Sequence, residues 1–182
     1  AIVVTGLLIK KPQMTWKQSI LKAAYPIIMF VGKLTGQSKN ILANKNQSKP
    51  NQSFYDLQAI KNNGDTLHFS ELKGKKVLLV NTASDCGYTG QYEELEKLHQ
   101  QFGKDLVVIG FPANDFKDQE KKSDADIAAF CKVNYGVSFQ LMKKGTVIKG
   151  ANQQSVYQWL TENLKNGWCN KQPDWNFSKY LI

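Results

Sequence analysis

The chain has 182 residues and a mass of 20.6 kDa, with 42% hydrophobic residues, which suits one domain with a proper core and is too short for two. Its three Cys, at 86, 131 and 169, are too few and too far apart for a disulfide scaffold, and with only two His they offer no zinc-ligand spacing, so a structural metal is excluded. All 24 basic residues are Lys: eight stand in residues 1–53 without a single acid, and sixteen stand in residues 54–182 against all fifteen acids. A site built on Arg clamps is thereby excluded, a nucleic-acid-binding body is disfavoured, and the N-terminal region is marked as the part to meet an anionic surface.

The first thirteen residues lack Met, and their apolar run from Ile2 to Ile9 is too short to span a bilayer; Met14 is a candidate natural start. Residues 15–33 are helical in composition, with lysines on both sides of an apolar stretch, 23–31, that contains Pro26. Three readings stay open for this segment: a helix at a membrane interface, a signal-peptide core, and a helix packed on the domain. Residues 37–53, rich in Asn, Gln, Ser and Lys, read as linker.

From Phe54 regular structure is expected. FYDLQAI, Asn63-Gly64 and TLHF form a hairpin pattern, and KVLLVNT at 76–82 is an apolar run of buried-strand length. Tyr92, Leu95, Leu98 and Phe102 then recur at helical spacing before a second buried strand at 106–111. Strand, helix, strand is the crossover unit of a parallel sheet. Ser123 and Asp126 are placed to cap a helix that carries Ile127, Phe130 and Cys131, and 137–141 and 146–148 read as short strands. A last helix carries Val156, Trp159, Leu160 and Leu164, and 175–182 closes as a strand.

Cys86 falls between the strand ending at Thr82 and the helix beginning near Gln91, at the sheet edge where open α/β folds place their sites. An ordinary thiol is only about 3% thiolate at pH 7, and a helix N-terminus lowers the pKa by on the order of one unit. The sequence after Cys86 is not a CxxC, so a resolving thiol has to come from elsewhere, and the Thr89 hydroxyl is a candidate donor to the sulfur. Against this stands a buried cysteine that only packs.

The segment 81–92, NTASDCGYTGQY, resembles the active-site segment of the glutathione peroxidase family. Gly110-Phe111-Pro112-Ala113-Asn114-Asp115-Phe116 with Gln119-Glu120 resembles that family's second motif, and Phe130-Cys131, Asn134-Tyr135-Gly136-Val137 and Trp175-Asn176-Phe177 resemble its third and fourth. The resemblance runs in order from Phe54 to Ile182. It implies a thioredoxin-like α/β fold, a central mixed sheet flanked by helices with an N-terminal hairpin, and reduction of hydroperoxides by a cysteine. By position Cys86 is the peroxidatic residue, Trp175 and Asn176 are polar groups beside it, and Cys131 matches the resolving cysteine of members that resemble thioredoxin-dependent peroxidases. Core packing is the competing reading of Cys131. Asp115 stands where the second motif usually has Gln; an ionised carboxylate beside Cys86 would raise the thiol pKa, so Asp115 is expected to be protonated, turned away or paired with Lys. Cys169 matches no family position and is expected as a surface or loop thiol, and His68 and His99 are expected to be structural or exposed.

These readings divide the chain into a basic extension, 1–53, and a thioredoxin-like peroxidase domain, 54–182. The expected partners are a hydroperoxide and thioredoxin or glutathione as reductant, with no bound cofactor and no nucleic acid. The expected location is the cytoplasm, with a membrane contact through residues 15–33. Family members with a longer insertion after the position of Ile148 tend to form tetramers, so the resemblance, with a short connection here, implies a monomer. Family members continue past the segment matching 175–182 with a further strand and helix, so the resemblance implies that both are missing here. The rivals are a thiol-disulfide oxidoreductase, which the lack of CxxC disfavours, and a non-catalytic redox-sensing or binding module tethered at a membrane surface.

Overall fold

The computed structural model describes residues 14–34 and 41–182; the expectations for residues 1–13 and for the first part of the linker lie outside the described residues. A four-stranded sheet is built from β3 (Lys76–Thr82), β4 (Leu106–Pro112), β5 (Gln140–Leu141) and β6 (Lys179–Leu181) in the order β5-β4-β3-β6. The first three run parallel, and β6 joins β3 antiparallel at the sheet edge. A separate hairpin of β1 (Gln58–Ile60) and β2 (Thr66–His68) precedes them.

Alternation along the two long strands explains why both are apolar throughout. Leu78, Val80 and Val108 face one side of the sheet with Tyr92, Leu95, Ile127, Phe130 and Cys131, while Val77, Leu79, Ile109 and Phe111 face the other with Phe54, Phe69, Val156 and Tyr157. The first side is covered by α2 (Gln91–Phe102) and α3 (Asp124–Tyr135). The second is covered by the hairpin region, by α4 (Ser155–Thr161) and by the residues leading to it; the short α5 (Asn163–Asn166) follows. Ser123 caps α3 by accepting from the Asp126 N–H, and Gly136 closes the helix at φ 68°, a left-handed conformation that suits glycine.

Several expected elements are shorter than their apolar patterns. FYD forms a 3-10 turn, so only three residues of the first hairpin arm are strand. Of 137–141 only Gln140–Leu141 pairs, and 146–148 contributes a single bridge from Thr146 to Gln153. The closing strand begins at Lys179 because Phe177 sits at φ 64°, a conformation no strand allows. That bend is held by the Phe177 N–H donating to Asn81 O at 2.7 Å and by the Asn81 amide donating to Trp175 O at 3.1 Å. It converts the expected strand start into a turn that carries Trp175 and Asn176.

Residues 14–53 do not stand apart from the domain where they are described. Helix α1 (Trp16–Leu34) lies against the loop after β3, and Met14 is buried in the same apolar cluster as Cys86. The end of the linker runs along α5, where the N–H groups of Asn51 and Gln52 donate to Lys165 O and the Trp159 indole donates to Gln52 O. Of the three readings for residues 15–33, a helix packed on the domain describes its inner face.

Ile109, fully buried in the centre of β4, is a position where truncation leaves a void between sheet and hairpin. Ile109→Ala is expected to lower the unfolding free energy by about 2–5 kcal/mol, read from the urea midpoint with an unchanged slope.

Candidate active site

Because β3 and β4 pair in register out to Thr82 and Pro112, the loops that leave them emerge side by side. The first loop, 83–90, carries Cys86; the second, 113–120, ends in Gln119 and Glu120. Glu120 joins the two: its buried carboxylate accepts from the Ser84 N–H and the Ser84 hydroxyl, both at 2.8 Å, while its own N–H donates to Asn114 Oδ1. Burial pushes this carboxyl up to about 7 against the hydrogen bonds from Ser84 and the charge of Lys122. The Asp85 N–H donates to Gln119 O at 3.0 Å, a second tie between the same loops.

Cys86 is 1% exposed. The Tyr88 N–H donates to its sulfur at 3.5 Å, and the side chains of Asn176 and Trp175 and the Gly87 N–H lie close enough to favour its charged form. Burial raises the thiol pKa and outweighs these donors, so the net direction is upward from the ordinary value. The expected lowering by the helix N-terminus is therefore corrected: desolvation of the sulfur is the larger effect. The donors still define where negative charge is tolerated, because each is fixed by other parts of the fold. The Asn176 amide donates one hydrogen to Gln119 Oε1 at 2.9 Å, which leaves its second for the sulfur. Trp175 is half-buried beside Phe116, ring centroids 5.6 Å apart, with the Lys117 ammonium 5.5 Å from its ring centre.

Asp115 is not part of this cluster. Its carboxylate accepts from the Val147 N–H at 2.7 Å, and Val147 belongs to the core on the opposite side of the sheet from Cys86. Of the three outcomes expected for that carboxylate, it is turned away. The residue of the second motif that reaches the site is Gln119, which the sequence contained beside Glu120 but which carried no assigned role. Its signal was the polar pair Gln119-Glu120 four residues beyond Asp115. Thr89 does not donate to the sulfur either; its hydroxyl faces the Tyr135 phenol.

Cys131 is completely buried on α3, in the same cluster as Cys86, with the Tyr92 phenol against its sulfur. Burial pushes it up to about 12. All three cysteines are free thiols. Cys169 is a loop residue as expected, yet it is buried, with Asn166 bonding both its N–H and its carbonyl. His68 is exposed at the start of a 3-10 turn, and His99 packs edge-on against Phe139. Among the described residues no three His, Cys, Asp or Glu side chains gather as a metal site.

Helix α1 closes over the Cys86 loop. The fully buried Gln18 amide donates to Ser84 O at 3.2 Å and to Asp85 Oδ1 at 2.5 Å, and the Lys22 ammonium bridges Glu93 at 2.6 Å and Asn134 O at 2.8 Å. Leu21 and Ile28 lie over Gly87. Tyr25 packs so tightly on Gly90 that a Cβ there would sit 2.3 Å from its ring. Lys122 pairs with Asp85 at 3.7 Å beneath the same helix end.

Two outcomes follow from this geometry. Gly90 has ordinary right-handed backbone angles, so Gly90→Ala strains nothing locally but displaces Tyr25; the rate of Cys86 alkylation by iodoacetamide should rise several-fold. Loss of a donor to the sulfur has the opposite sign for reactivity at neutral pH. Asn176→Ala should move the thiol titration, and with it the pH–rate profile, to higher pH; a thiol that titrates one pH step higher reacts about tenfold more slowly at pH 7.

Comparison with known proteins gives the family. The family model described as Glutathione peroxidase matches residues 54–161. Glutathione peroxidase-like peroxiredoxin 2 of Saccharomyces cerevisiae is 47% identical over 131 residues, which are 71% of this chain and 80% of that one. Glutathione peroxidase of Lactococcus lactis subsp. cremoris is 42% identical over 71% of this chain and 82% of its own. The solved structure of Trgpx in apo form aligns with a TM-score of 0.54 at 35% identity, covering 72% of this chain and 78% of that one. With its thioredoxin-like mixed sheet and four matching motifs in order, the chain belongs to the glutathione peroxidase family and is a thiol-dependent peroxidase that reduces hydroperoxides through a cysteine.

Proposed function

We propose that Cys86 is the peroxidatic thiol, that Cys131 resolves it, and that a dithiol protein of the thioredoxin type restores the pair. The ring of donors around the Cys86 sulfur carries the first part. In the reaction the Cys86 thiolate attacks the O–O bond of the hydroperoxide; an S–O bond forms, the O–O bond breaks, and the alkoxide or hydroxide departs with a proton as alcohol or water. Donors already aimed at a negative sulfur are placed to stabilise the charge that moves to the leaving oxygen. Trp175 and Asn176 are the two side chains in that role. Gln119 positions Asn176, and Glu120 positions the loop that bears the thiol.

Cys86 then stands as a sulfenic acid. The Cys131 thiol condenses with it, forming the S–S bond and releasing water, which also guards against over-oxidation. Both sulfurs are buried in one apolar cluster, so local opening of α3 is the step that frees Cys131 to reach the sulfenic acid and to meet disulfide geometry, with Cα atoms within roughly 7 Å. A dithiol reductant is supported by that second thiol and by the absence of Arg, since glutathione offers two carboxylates that guanidinium groups grip best.

The test uses two single variants. Cys86→Ser should abolish peroxide consumption while leaving the unfolding transition in place. Cys131→Ser should still consume one equivalent of peroxide and stop there as a sulfenic acid trapped by dimedone, with no turnover by thioredoxin. Mass spectrometry of the oxidised wild type should find the 86–131 link. An 86–169 link, or full thioredoxin turnover by Cys131→Ser, overturns the resolving role; a strong preference for glutathione overturns the reductant.

A further inference from the structure

Helix α1 has two faces of different character. Counting about 100° per residue, Gln18, Leu21, Lys22, Tyr25 and Ile28 fall on one side, and all five are the residues that touch the Cys86 loop or its neighbours. Trp16, Ile20, Ile27 and Phe30 fall within an arc of about 80° on the opposite side. These four large apolar side chains are exposed, Trp16 by 62%, Ile27 by 68% and Phe30 by 64%. Folding a helix onto the domain explains its inner face and leaves this outer stripe unexplained, because water is a costly neighbour for so much contiguous apolar surface.

We propose that the outer face of α1 docks on an anionic lipid surface, with the helix lying in the plane of the interface and the peroxidatic loop held directly beneath it. Charge selects this occupant. Residues 1–53 hold eight Lys and no acid, and exposed Lys17 flanks the stripe. A second copy of the chain would bring two such segments together against their own repulsion, whereas anionic headgroups attract them. The geometry agrees: α1 has 19 residues, and no described helix is long and apolar enough to cross a membrane, so an apolar stripe with Lys17 beside it is suited to lie at the headgroup boundary. Trp16 stands at the helix start, the kind of ring that favours such interfaces.

The experiment is flotation of the full chain with two kinds of vesicle, phosphatidylcholine alone and phosphatidylcholine mixed with phosphatidylglycerol. Binding to the mixed vesicles and its weakening by salt are expected, with little binding to phosphatidylcholine alone. The triple variant Ile20→Ser, Ile27→Ser, Phe30→Ser alters only exposed positions; it should bind the mixed vesicles roughly a hundredfold less tightly and keep its hydrogen peroxide turnover. Lys17→Gln should cost about fivefold. Equal binding to both vesicles, no binding to either, or undiminished binding by the triple variant overturns the proposal. So does sedimentation that finds a dimer abolished by the triple variant, which would assign the face to a second copy. Binding is read without turnover, so its failure and a failure of the peroxidase assignment are seen separately.

Discussion

The hydrogen bonds from Ser84 to the buried carboxylate of Glu120 hold together what the rest of the site depends on. Two parallel strands that end in register deliver their loops to one edge, but nothing in the sheet itself fixes the loops to each other. Glu120 does so from the base of the second loop, and the penalty is visible in its own chemistry: desolvation moves its acidity up to about 7. A carboxylate kept at that disadvantage fixes geometry more than it adds net stability. Asp85, one residue before Cys86, is then held by its backbone to Gln119 and by its side chain to Gln18.

The Cys86 sulfur sits in a similar balance. Burial favours the neutral thiol, and the Tyr88 N–H with the nearby polar groups of Asn176, Trp175 and Gly87 favours the thiolate. If Cys86 is the peroxidatic thiol, the two influences act on different steps: burial keeps the resting sulfur quiet and excludes water, while groups that already point inward have no reorganisation to undergo when charge develops on the leaving oxygen. Cys131 lies at the extreme of the same scale, buried against Tyr92 with no donor from the backbone among the influences on it. Its acidity in the closed fold makes it a poor nucleophile, so opening of α3 would unmask both its position and its reactivity.

Much of this was legible in the sequence because period and composition report burial. The runs at 76–82 and 106–111 are apolar on alternate residues of both parities, which only a strand covered on two faces requires, and the helix between them shows its inner stripe in Tyr92 and Leu95. The motif spacing marked Cys86, Trp175 and Asn176, three residues that the structure brings together. What the sequence could not reveal was direction. Asp115 and Gln119 are both polar residues in one loop, and which of them turns to the sulfur is decided by a distant partner, the Val147 N–H, that captures Asp115. The apolar pattern at 175–182 likewise could not show the bend at Phe177, which depends on Asn81 on another strand. For residues 15–33, a stretch with apolar residues on every side is ambiguous by composition, and only packing separated the inner face from the outer.

One contact ties the history of the helix to that of the loop. Tyr25 rests where any side chain larger than hydrogen at position 90 would stand. A descendant that keeps the ring over the loop must keep glycine beneath it, and one that loses the helix is released to place a more rigid residue there. The two positions are therefore bound to change together, and in a set of related chains the residue found at 90 would report whether the covering helix is still in place.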